Sequence, residues 1–202
     1  MKLYFSPGAC SLSPHIVLHE AGLDFTLERV DLRARQTAGG VDFLTINSKG
    51  YVPALELKDG TVLTEGPAIV QFIADLVPDR QLVPAHGTLE RYQVIEWLNF
   101  IATEVHKSFG PLFRPNTAED VKEAARTNLS NRLDWIAARL AGRDFLMGSQ
   151  FTVADAYLFT ALGWAAFVNF DLAPWPALAA YQQRVASRPA VQQALRAEGL
   201  LN

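Results

Sequence analysis

The sequence has 202 residues but a single cysteine, Cys10, and this scarcity limits the chemistry open to it. One cysteine cannot form a disulfide within the chain, and it cannot supply the several thiolates of a structural metal cluster. A mixed disulfide at Cys10 would have to be resolved by an external thiol, because the chain offers no second cysteine. Disulfide-stabilised folds and thiolate metal sites are therefore excluded.

The sequence also has no large excess of charge of one sign. Its formal net charge is −3, its pI is near 5.8, and no run of lysine and arginine stands out. Basic surfaces are what attract phosphate backbones and anionic lipid headgroups. We therefore expect neither nucleic acid nor a membrane among its partners.

Long hydrophobic runs are missing as well. The most apolar stretch, residues 156–170, contains Thr160 and Asn169 and is shorter than the ~20 residues that span a bilayer. It predicts a buried helix instead. The apolar start of the chain, Met1 to Phe5, is too short for a secretory signal. The sequence therefore predicts a cytoplasmic protein.

Half of the residues are hydrophobic, which is enough for a sizeable core, and their pattern in residues 1–78 alternates between strand and helix. The dipeptide Asp59-Gly60 lies between two short alternating segments and predicts a β-hairpin. Ser13 is a candidate helix cap, and Gly22 a candidate helix end. The predicted order is strand 2–5, helix to residue 22, strand 25–32, weak helix within 33–47, hairpin, and helix from residue 66 to before Pro78. This order predicts a small α/β domain.

Strand patterns disappear beyond residue 78. Residues 79–88 read as a linker, and residues 89–202 show helical spacing only, including one long helix over 89–109. A further helix predicts a buried stripe of Leu129, Leu133, Ile136 and Leu140. The segment Thr152 to Asp155 is typical of a capping box, with Asp in place of the usual Glu. A C-terminal all-α domain is therefore predicted.

The segment from Tyr51 to Pro67 combines an edge for peptide pairing with an anion site. Pro53 begins a strand without an N–H group, and a cis Val52-Pro53 peptide would leave the backbone of Val52 available to a peptide ligand. The helix that begins at Gly66 has N–H groups that can hold a carboxylate, and Glu65 can bind an ammonium. A zwitterionic, peptide-like ligand fits this corner. A trans Pro53, and a Glu65 that only complements the helix dipole, are the alternatives.

Cys10 lies immediately before the first predicted helix. The partial positive charge of a helix N-terminus favours thiolate over thiol, which suits a reactive cysteine. The run from Cys10 to Ser13 is also a C-x-x-S motif, the one-thiol form of a redox motif. The alternative is a buried cysteine with a purely structural role.

Asn99, Thr103 and His106 are spaced i, i+4 and i+7, so they share one face of the long predicted helix. Such a face can line a ligand cleft between two domains, or it can simply be solvated. His15 and His19 also have the spacing of a metal-binding pair, but no carboxylate completes a recognisable motif. No metal site is expected.

These motifs together resemble those of bacterial beta-class glutathione transferases. The resemblance covers essentially the whole chain in the family's order, and it rests on residues 6–11, 52–55, 64–66, 99–106 and 151–157. It implies a thioredoxin-like, glutathione-binding domain over residues 1–78 and an all-helical domain over 89–202 that shapes the electrophile site. It also implies a homodimer.

The implied activity is conjugation of glutathione, as co-substrate, to small hydrophobic electrophiles, with no separate cofactor. Cys10 would lie beside the glutathione sulfur and His106 on the electrophile side, both as catalytic residues. The alternatives are a thiol-disulfide oxidoreductase or reductive dehalogenase that uses Cys10, and a non-catalytic protein that binds glutathione or hydrophobic compounds.

The resemblance also implies a set of glutathione contacts, some of which can come from the other subunit. They are Cys10, Arg35, Val52, Glu65, Gly66, Asn99, Thr103, Glu104, Val105 and His106. The family often has Lys at the position of Arg35, so the contact to the glycine carboxylate would be made by a guanidinium fork. Pro53, Thr152 and Asp155 would have structural roles. Tyr4 is not assigned a role. The candidate aromatic walls of the electrophile site are Phe109, Phe113, Trp164 and Phe167, and the alternative for each is a place in the hydrophobic core.

Overall fold

The computed structural model describes residues 1–201, and the chain divides into two compact units. Unit 1 consists of residues 1–83 together with the C-terminal segment that begins at Arg188. Unit 2 consists of Pro84 to Ser187. The first boundary lies within the linker predicted at 79–88, whereas the return of the C-terminal segment to unit 1 was not predicted.

Unit 1 is built on a five-stranded mixed sheet with the order β3-β2-β1-β4-β5. β1 pairs parallel with β2 and antiparallel with β4. The predicted hairpin is present and turns at Gly60, where φ is 84°. Residues 33–47, predicted as a loop with a weak helix, contain a 3₁₀ turn at Phe43–Thr45 and also the short strand β3, which was not predicted. The strands are β1 (Lys2–Phe5), β2 (Thr26–Asp31), β3 (Gln36–Thr37), β4 (Ala54–Glu56) and β5 (Val62–Thr64).

Helices α1 (Leu12–Ala21) and α2 (Gly66–Asp75) of unit 1 follow the predicted segments closely. α1 ends at Gly22, which has a left-handed φ of 67° as a C-terminal cap requires. Pro67 lies in the first turn of α2, where its missing N–H costs no helical hydrogen bond. The fully buried core of this unit includes Leu3, Ile16, Leu18, Leu55, Ile69 and Ile73.

The last helix, α8 (Pro189–Ala197), was predicted as part of the helical domain, but it packs against α1 in unit 1. Its residues Val191 and Ala194 are fully buried. Arg188 forms a bidentate ion pair with Glu20 of α1, at 2.6 and 2.9 Å. Helical periodicity shows that a short amphipathic helix needs an apolar surface, but it does not show which surface. The predicted boundary therefore missed this return of the chain.

Unit 2 is helical apart from an isolated bridge between Phe145 and Gly148. The stripe predicted on α5 is buried at all four positions. The capping box of Thr152 and Asp155 is present at the start of α6, which is almost entirely buried, as predicted. The predicted buried helix continues further than α6, which ends at Gly163 and is followed by a 3₁₀ turn, Trp164–Val168. The helices are α3 (Leu89–Phe100), α4 (Lys107–Phe113), α5 (Glu119–Leu140), α6 (Val153–Gly163) and α7 (Pro176–Ala186).

The long helix predicted over residues 89–109 is interrupted in the middle. α3 and α4 are joined by a π-helical stretch, Ile101–His106, and His106 is its last residue. π-helical turns inside α-helices are rare and occur frequently at functional sites. No helix within residues 1–201 is long and apolar enough to cross a membrane.

Candidate active site

Cys10 lies in the turn before α1, and its side chain is partly exposed. Its Sγ donates a hydrogen bond to the carbonyl oxygen of Val52 at 3.2 Å. Ser11, the residue before α1, fixes the preceding loop, because its hydroxyl accepts from the Ser6 N–H at 3.2 Å and donates to the Ser6 carbonyl at 3.3 Å. Ser13, predicted as the cap, is instead buried within α1.

The Val52-Pro53 peptide bond is cis, as predicted from the sequence, and the alternative of a trans Pro53 is excluded. β4 begins immediately after this bond, and Ala54 of β4 is paired with Thr64 of β5. This register places the residues that precede Ala54 next to those that follow Thr64. The main chain of Val52 is therefore close to both Cys10 and the start of α2.

Glu65 is exposed and directly precedes Gly66, the first residue of α2. It has a positive φ of 70°, a conformation unusual for a residue with a side chain. The carboxylate of Glu65 is paired with the ammonium of Lys49, which also donates to Thr64 Oγ1 at 3.0 Å. This hydrogen bond to Glu65 raises the pKa of Lys49. Sequence reasoning missed Lys49, because it lies in a loop without a periodic pattern.

Arg35 is exposed and belongs to the same unit. It also has a positive φ, 56°. A Cβ atom added at Gly50 would lie 3.9 Å from Arg35 Nε, so the guanidinium side chain passes close to the loop that leads to Val52. Arg35, Val52, Glu65, Gly66 and Cys10 thus all belong to the same unit.

Two further residues of unit 1 support the Cys10 loop, and the sequence did not reveal their relationship. His15 of α1 is fully buried, and its Nδ1 lies 2.8 Å from Glu198 Oε1. The other carboxylate oxygen of Glu198 accepts the N–H of Gly8 at 2.8 Å, and Gly8 precedes Cys10 by two residues. His15 is therefore a structural residue, and no group of three or more metal-binding side chains occurs within residues 1–201.

In unit 2, His106 contacts two aromatic side chains. Its Nδ1 lies 2.7 Å from the hydroxyl of Tyr157, and the ring of Trp164 meets it edge-on at a centroid distance of 4.6 Å. Burial, and to a smaller extent the charge of Lys107, lowers the pKa of His106 to about 4. The imidazole is therefore neutral at physiological pH. Sequence reasoning selected His106 but missed Tyr157.

The polar face predicted for the long helix divides into two parts. Asn99 and Thr103 are exposed neighbours, and the Thr103 hydroxyl donates to the Asn99 carbonyl at 3.0 Å. His106, predicted to share this face, instead turns towards Tyr157 and Trp164. The reason is the π-helical stretch, because its i→i+5 hydrogen bonds change the rotation from one residue to the next.

Glu104 and Val105 lie in the same π-helical stretch but differ in exposure. Glu104 is half-buried and forms an ion pair with Arg132 at 2.8 Å. The side chain of Val105 is fully buried. A contact from Val105 to a ligand would therefore have to use its main chain.

The aromatic residues proposed as walls of an electrophile site also differ in their exposure to solvent. Phe109 is fully buried and packs against Trp164 at 5.7 Å and Phe113 at 6.3 Å between ring centroids. Phe113 and Phe167 are exposed. Phe109 and Trp164 thus belong to the core of unit 2, and Phe113 extends this cluster to the surface.

Tyr4, on β1, was not assigned a role. Its hydroxyl donates to Glu56 at 2.5 Å, and burial together with this carboxylate raises its pKa above the ordinary value. The raised pKa favours the protonated phenol, and Glu56 is its structural partner.

Comparison with known proteins gives the family. The model of the glutathione S-transferase N-terminal domain matches residues 8–76, and that of the C-terminal domain matches residues 100–189. Glutathione S-transferase GstA of Escherichia coli O157:H7 is 52% identical over 200 residues, which cover 99% of this chain and 100% of that protein.

Solved structures agree. A sphingomonad glutathione S-transferase complexed with glutathione is 52% identical, with a TM-score of 0.95 over 99% of this chain and 100% of that one. A bacterial beta class glutathione S-transferase of Sphingomonas chungbukensis is 50% identical, with a TM-score of 0.96 over 100% of both chains. The chain therefore belongs to the glutathione S-transferase family, and the predicted fold, enzyme class and glutathione-dependent activity are confirmed.

Proposed function

We propose that the reaction is conjugation of glutathione to small hydrophobic electrophiles, with Cys10 beside the glutathione sulfur. The observation that carries this assignment is the 3.2 Å contact between Cys10 Sγ and the Val52 carbonyl. An extended peptide ligand pairs its main chain with an available backbone edge. A cysteinyl residue paired with Val52 would therefore carry its sulfur to the neighbourhood of Cys10.

The γ-glutamyl end of glutathione has an ammonium and a carboxylate, and the start of α2 offers a partner for each. Glu65 would take the ammonium in place of Lys49, and the first N–H groups of α2 at Gly66 would take the carboxylate. Arg35 would bind the glycine carboxylate, because its exposed guanidinium lies near Gly50, two residues before Val52.

His106 would act on the electrophile side, in the aromatic surroundings of Trp164 and Phe113 that suit an apolar molecule. The remaining contacts to glutathione would come from Asn99, Thr103, Glu104 and the main chain of Val105, some of them from the other subunit of a homodimer. In this scheme residues 1–78 bind glutathione and residues 89–202 shape the electrophile site. A reducing compartment such as the cytoplasm would keep Cys10 as a thiol.

The chemical step is a substitution. The glutathione thiol first loses its proton to water, and the thiolate attacks the electrophilic carbon. A carbon–sulfur bond forms, and the leaving group departs with the electron pair of the bond that breaks. The protein contributes by holding the thiolate and the electrophile in reactive alignment.

The test is the rate of glutathione conjugation to chlorodinitrobenzene with the uncatalysed rate subtracted. We expect a clear enzyme-dependent rate and an altered rate for Cys10→Ala. Glutathione binding without any rate above background would overturn the proposed reaction and would support a binding protein instead.

The partial exposure of Cys10 favours one second candidate, a thiol-disulfide exchange. The Cys10 thiolate would attack glutathione disulfide, form a mixed disulfide with one glutathione and release the other as thiolate. Mass spectrometry after exposure to glutathione disulfide would detect this adduct. A chain that never gains the mass of glutathione cannot use this chemistry.

A further inference from the structure

The hydrogen bond between His106 and Tyr157 involves only one of the two imidazole nitrogens. The Nδ1 atom of His106 lies 2.7 Å from the Tyr157 hydroxyl, and the two rings are nearly perpendicular, at 83°. If His106 acts on the electrophile, it would therefore do so through Nε2. What Nε2 can do depends on where the single ring proton of neutral imidazole resides.

The charge state of the ring follows from its surroundings. With a pKa of about 4, His106 is neutral at pH 7 by about a thousand to one. A neutral imidazole has one N–H donor and one bare acceptor nitrogen, so two tautomers compete. Burial thus keeps the imidazole neutral. A neighbouring group then decides only which of the two ring nitrogens carries the proton.

The phenol of Tyr157 is the neighbour that sets it. A phenol, with a pKa of about 10, is a better hydrogen-bond donor than the N–H of neutral imidazole. The bare imidazole nitrogen is in turn a better acceptor than a phenol oxygen. The favoured arrangement is therefore Tyr157 Oη–H donating to Nδ1, which leaves the ring proton on Nε2.

Tyr157 is well placed for this task because α6 is firmly anchored. Tyr157 is almost fully buried and lies two residues after Asp155, the acidic member of the capping box. The Asp155 carboxylate accepts N–H groups of Leu146 and Thr152, at 2.9 and 2.8 Å. Trp164, which also packs against His106, follows Tyr157 by seven residues, or two helical turns. Both neighbours of His106 thus come from α6 and the residue directly after it.

We propose that Tyr157 is a positioning residue that donates its phenol proton to Nδ1 of His106 and so fixes the imidazole as an Nε2–H hydrogen-bond donor. This proposal rests on the proposed transferase function. His106 then acts as a neutral donor towards negative charge that develops on the electrophile, and not as a base that removes the glutathione proton. In chlorodinitrobenzene this charge spreads onto the nitro groups as the carbon–sulfur bond forms, and chloride later leaves with its bonding pair. No proton moves between His106 and the substrate.

The direct test is ¹⁵N NMR of the protein labelled with ¹⁵N-histidine, at pH 7. The chain has four histidines, and a His106→Asn spectrum identifies the signals of His106. We expect a pyrrole-type, protonated Nε2 and a pyridine-type Nδ1 in the unaltered protein. A protonated Nδ1 would overturn the proposal. This measurement needs no change at Tyr157, so it decides the question even if a Tyr157 variant does not fold.

The second test is kinetic and uses Tyr157→Phe, with Tyr92→Phe as the matched control, because Tyr92 is an exposed tyrosine of α3. Tyr157→Phe should lower kcat for chlorodinitrobenzene about tenfold, with KM for glutathione unchanged within about twofold. Tyr92→Phe should leave both constants unchanged. The NMR spectrum of Tyr157→Phe should show both tautomers. Unchanged kcat and an unchanged tautomer would refute the role of Tyr157.

The two levels of failure can be separated. An unaltered protein that conjugates no electrophile would overturn the proposed function and with it the catalytic consequence of the tautomer. An active protein in which Tyr157→Phe behaves as Tyr92→Phe would overturn the role of Tyr157 alone.

Discussion

His15 and Glu198 are separated by 183 residues in sequence, yet their side chains meet at 2.8 Å and are both fully buried. The same carboxylate holds the N–H of Gly8. One acidic side chain thus ties helix α1, the loop before Cys10 and the C-terminal end of the chain together. The arrangement of the Cys10 loop depends on a residue at the opposite end of the sequence.

Replacement of Glu198 by Ala should therefore destabilise the protein strongly. The change leaves His15 Nδ1 and the Gly8 N–H without their partner in a buried place, which costs about 3 kcal/mol in the free energy of unfolding. Urea denaturation checks this, with the exposed Glu123→Ala of α5 as the control, expected within about 0.5 kcal/mol of the unaltered protein. A Glu198→Ala midpoint equal to that of the control would contradict the structural role.

The lowered pKa of His106 should make the stability of the protein depend on pH. This pKa is about 4 in the folded protein and 6.5 when unperturbed, so the unfolded chain binds the proton first as the pH falls. Stability is therefore lost between pH 6.5 and 4, by up to about 3 kcal/mol. His106→Asn removes this loss, so its stability relative to the unaltered protein should rise as the pH falls through this window. A constant difference between the two proteins would contradict the low pKa.

Asp155 should make stability depend on pH in the opposite direction to His106, over an overlapping range of pH. Burial raises the pKa of Asp155 from 3.8 to about 6, against the opposing effect of its hydrogen bonds. The folded state therefore holds a proton that the unfolded chain has lost, and stability falls as the pH rises from 3.8 to 6. The difference in the free energy of unfolding between the unaltered protein and Asp155→Asn should therefore grow as the pH falls from 6 to 4, because asparagine does not titrate. Urea denaturation of both proteins across pH 4–7 measures this difference; a difference that shrinks with acidity would argue against the raised pKa.

Substitutions of Glu65 and Lys49 test the glutathione site, because they should change KM for glutathione and leave kcat largely unchanged. Glu65→Gln removes the carboxylate expected to bind the ammonium of glutathione, so KM for glutathione should rise about tenfold with kcat largely retained. Lys49→Met removes the cation that competes for the same carboxylate, so KM should fall, by about threefold because the pair is exposed. Steady-state kinetics with varied glutathione measures both. Changes in the same direction would show that Lys49 does not compete with glutathione.

Homodimer formation can be tested by dilution. If residues such as Glu104 complete the site of the other subunit, specific activity should fall when the protein is diluted below its dissociation constant. The measurement combines activity with sedimentation at the same concentrations. Constant activity per subunit through dissociation would show that each chain carries a complete site.

The features that the sequence predicted correctly are those decided by a few neighbouring residues. Asp59-Gly60 specifies a hairpin because glycine tolerates the positive φ of the turn. Thr152 and Asp155 specify a helix start through a local capping box. The stripe from Leu129 to Leu140 needs only helical spacing. In each case the determining interactions lie within one or a few turns of the chain.

The features that the sequence did not reveal depend on distant partners or on small changes of helical geometry. Nothing near Glu198 indicates His15, and nothing near Tyr157 indicates His106, although the contact is 2.7 Å. The apolar spacing within residues 89–109 is that of a continuous α-helix, so it does not reveal the π-helical stretch. The predicted common face of Asn99, Thr103 and His106 therefore does not extend to His106, which contacts Tyr157 and Trp164.

The division of the chain also has a consequence for its synthesis on the ribosome. Unit 2 is one continuous segment, whereas unit 1 needs residues from both sides of it, including the ion pair of Glu20 with Arg188. The segment that contains Cys10 leaves the ribosome before α8 is synthesised, so it cannot form all its packing contacts until α8 is present. Residues 1–83 are therefore synthesised before unit 2, but the packing of unit 1 is completed only after unit 2 has been made.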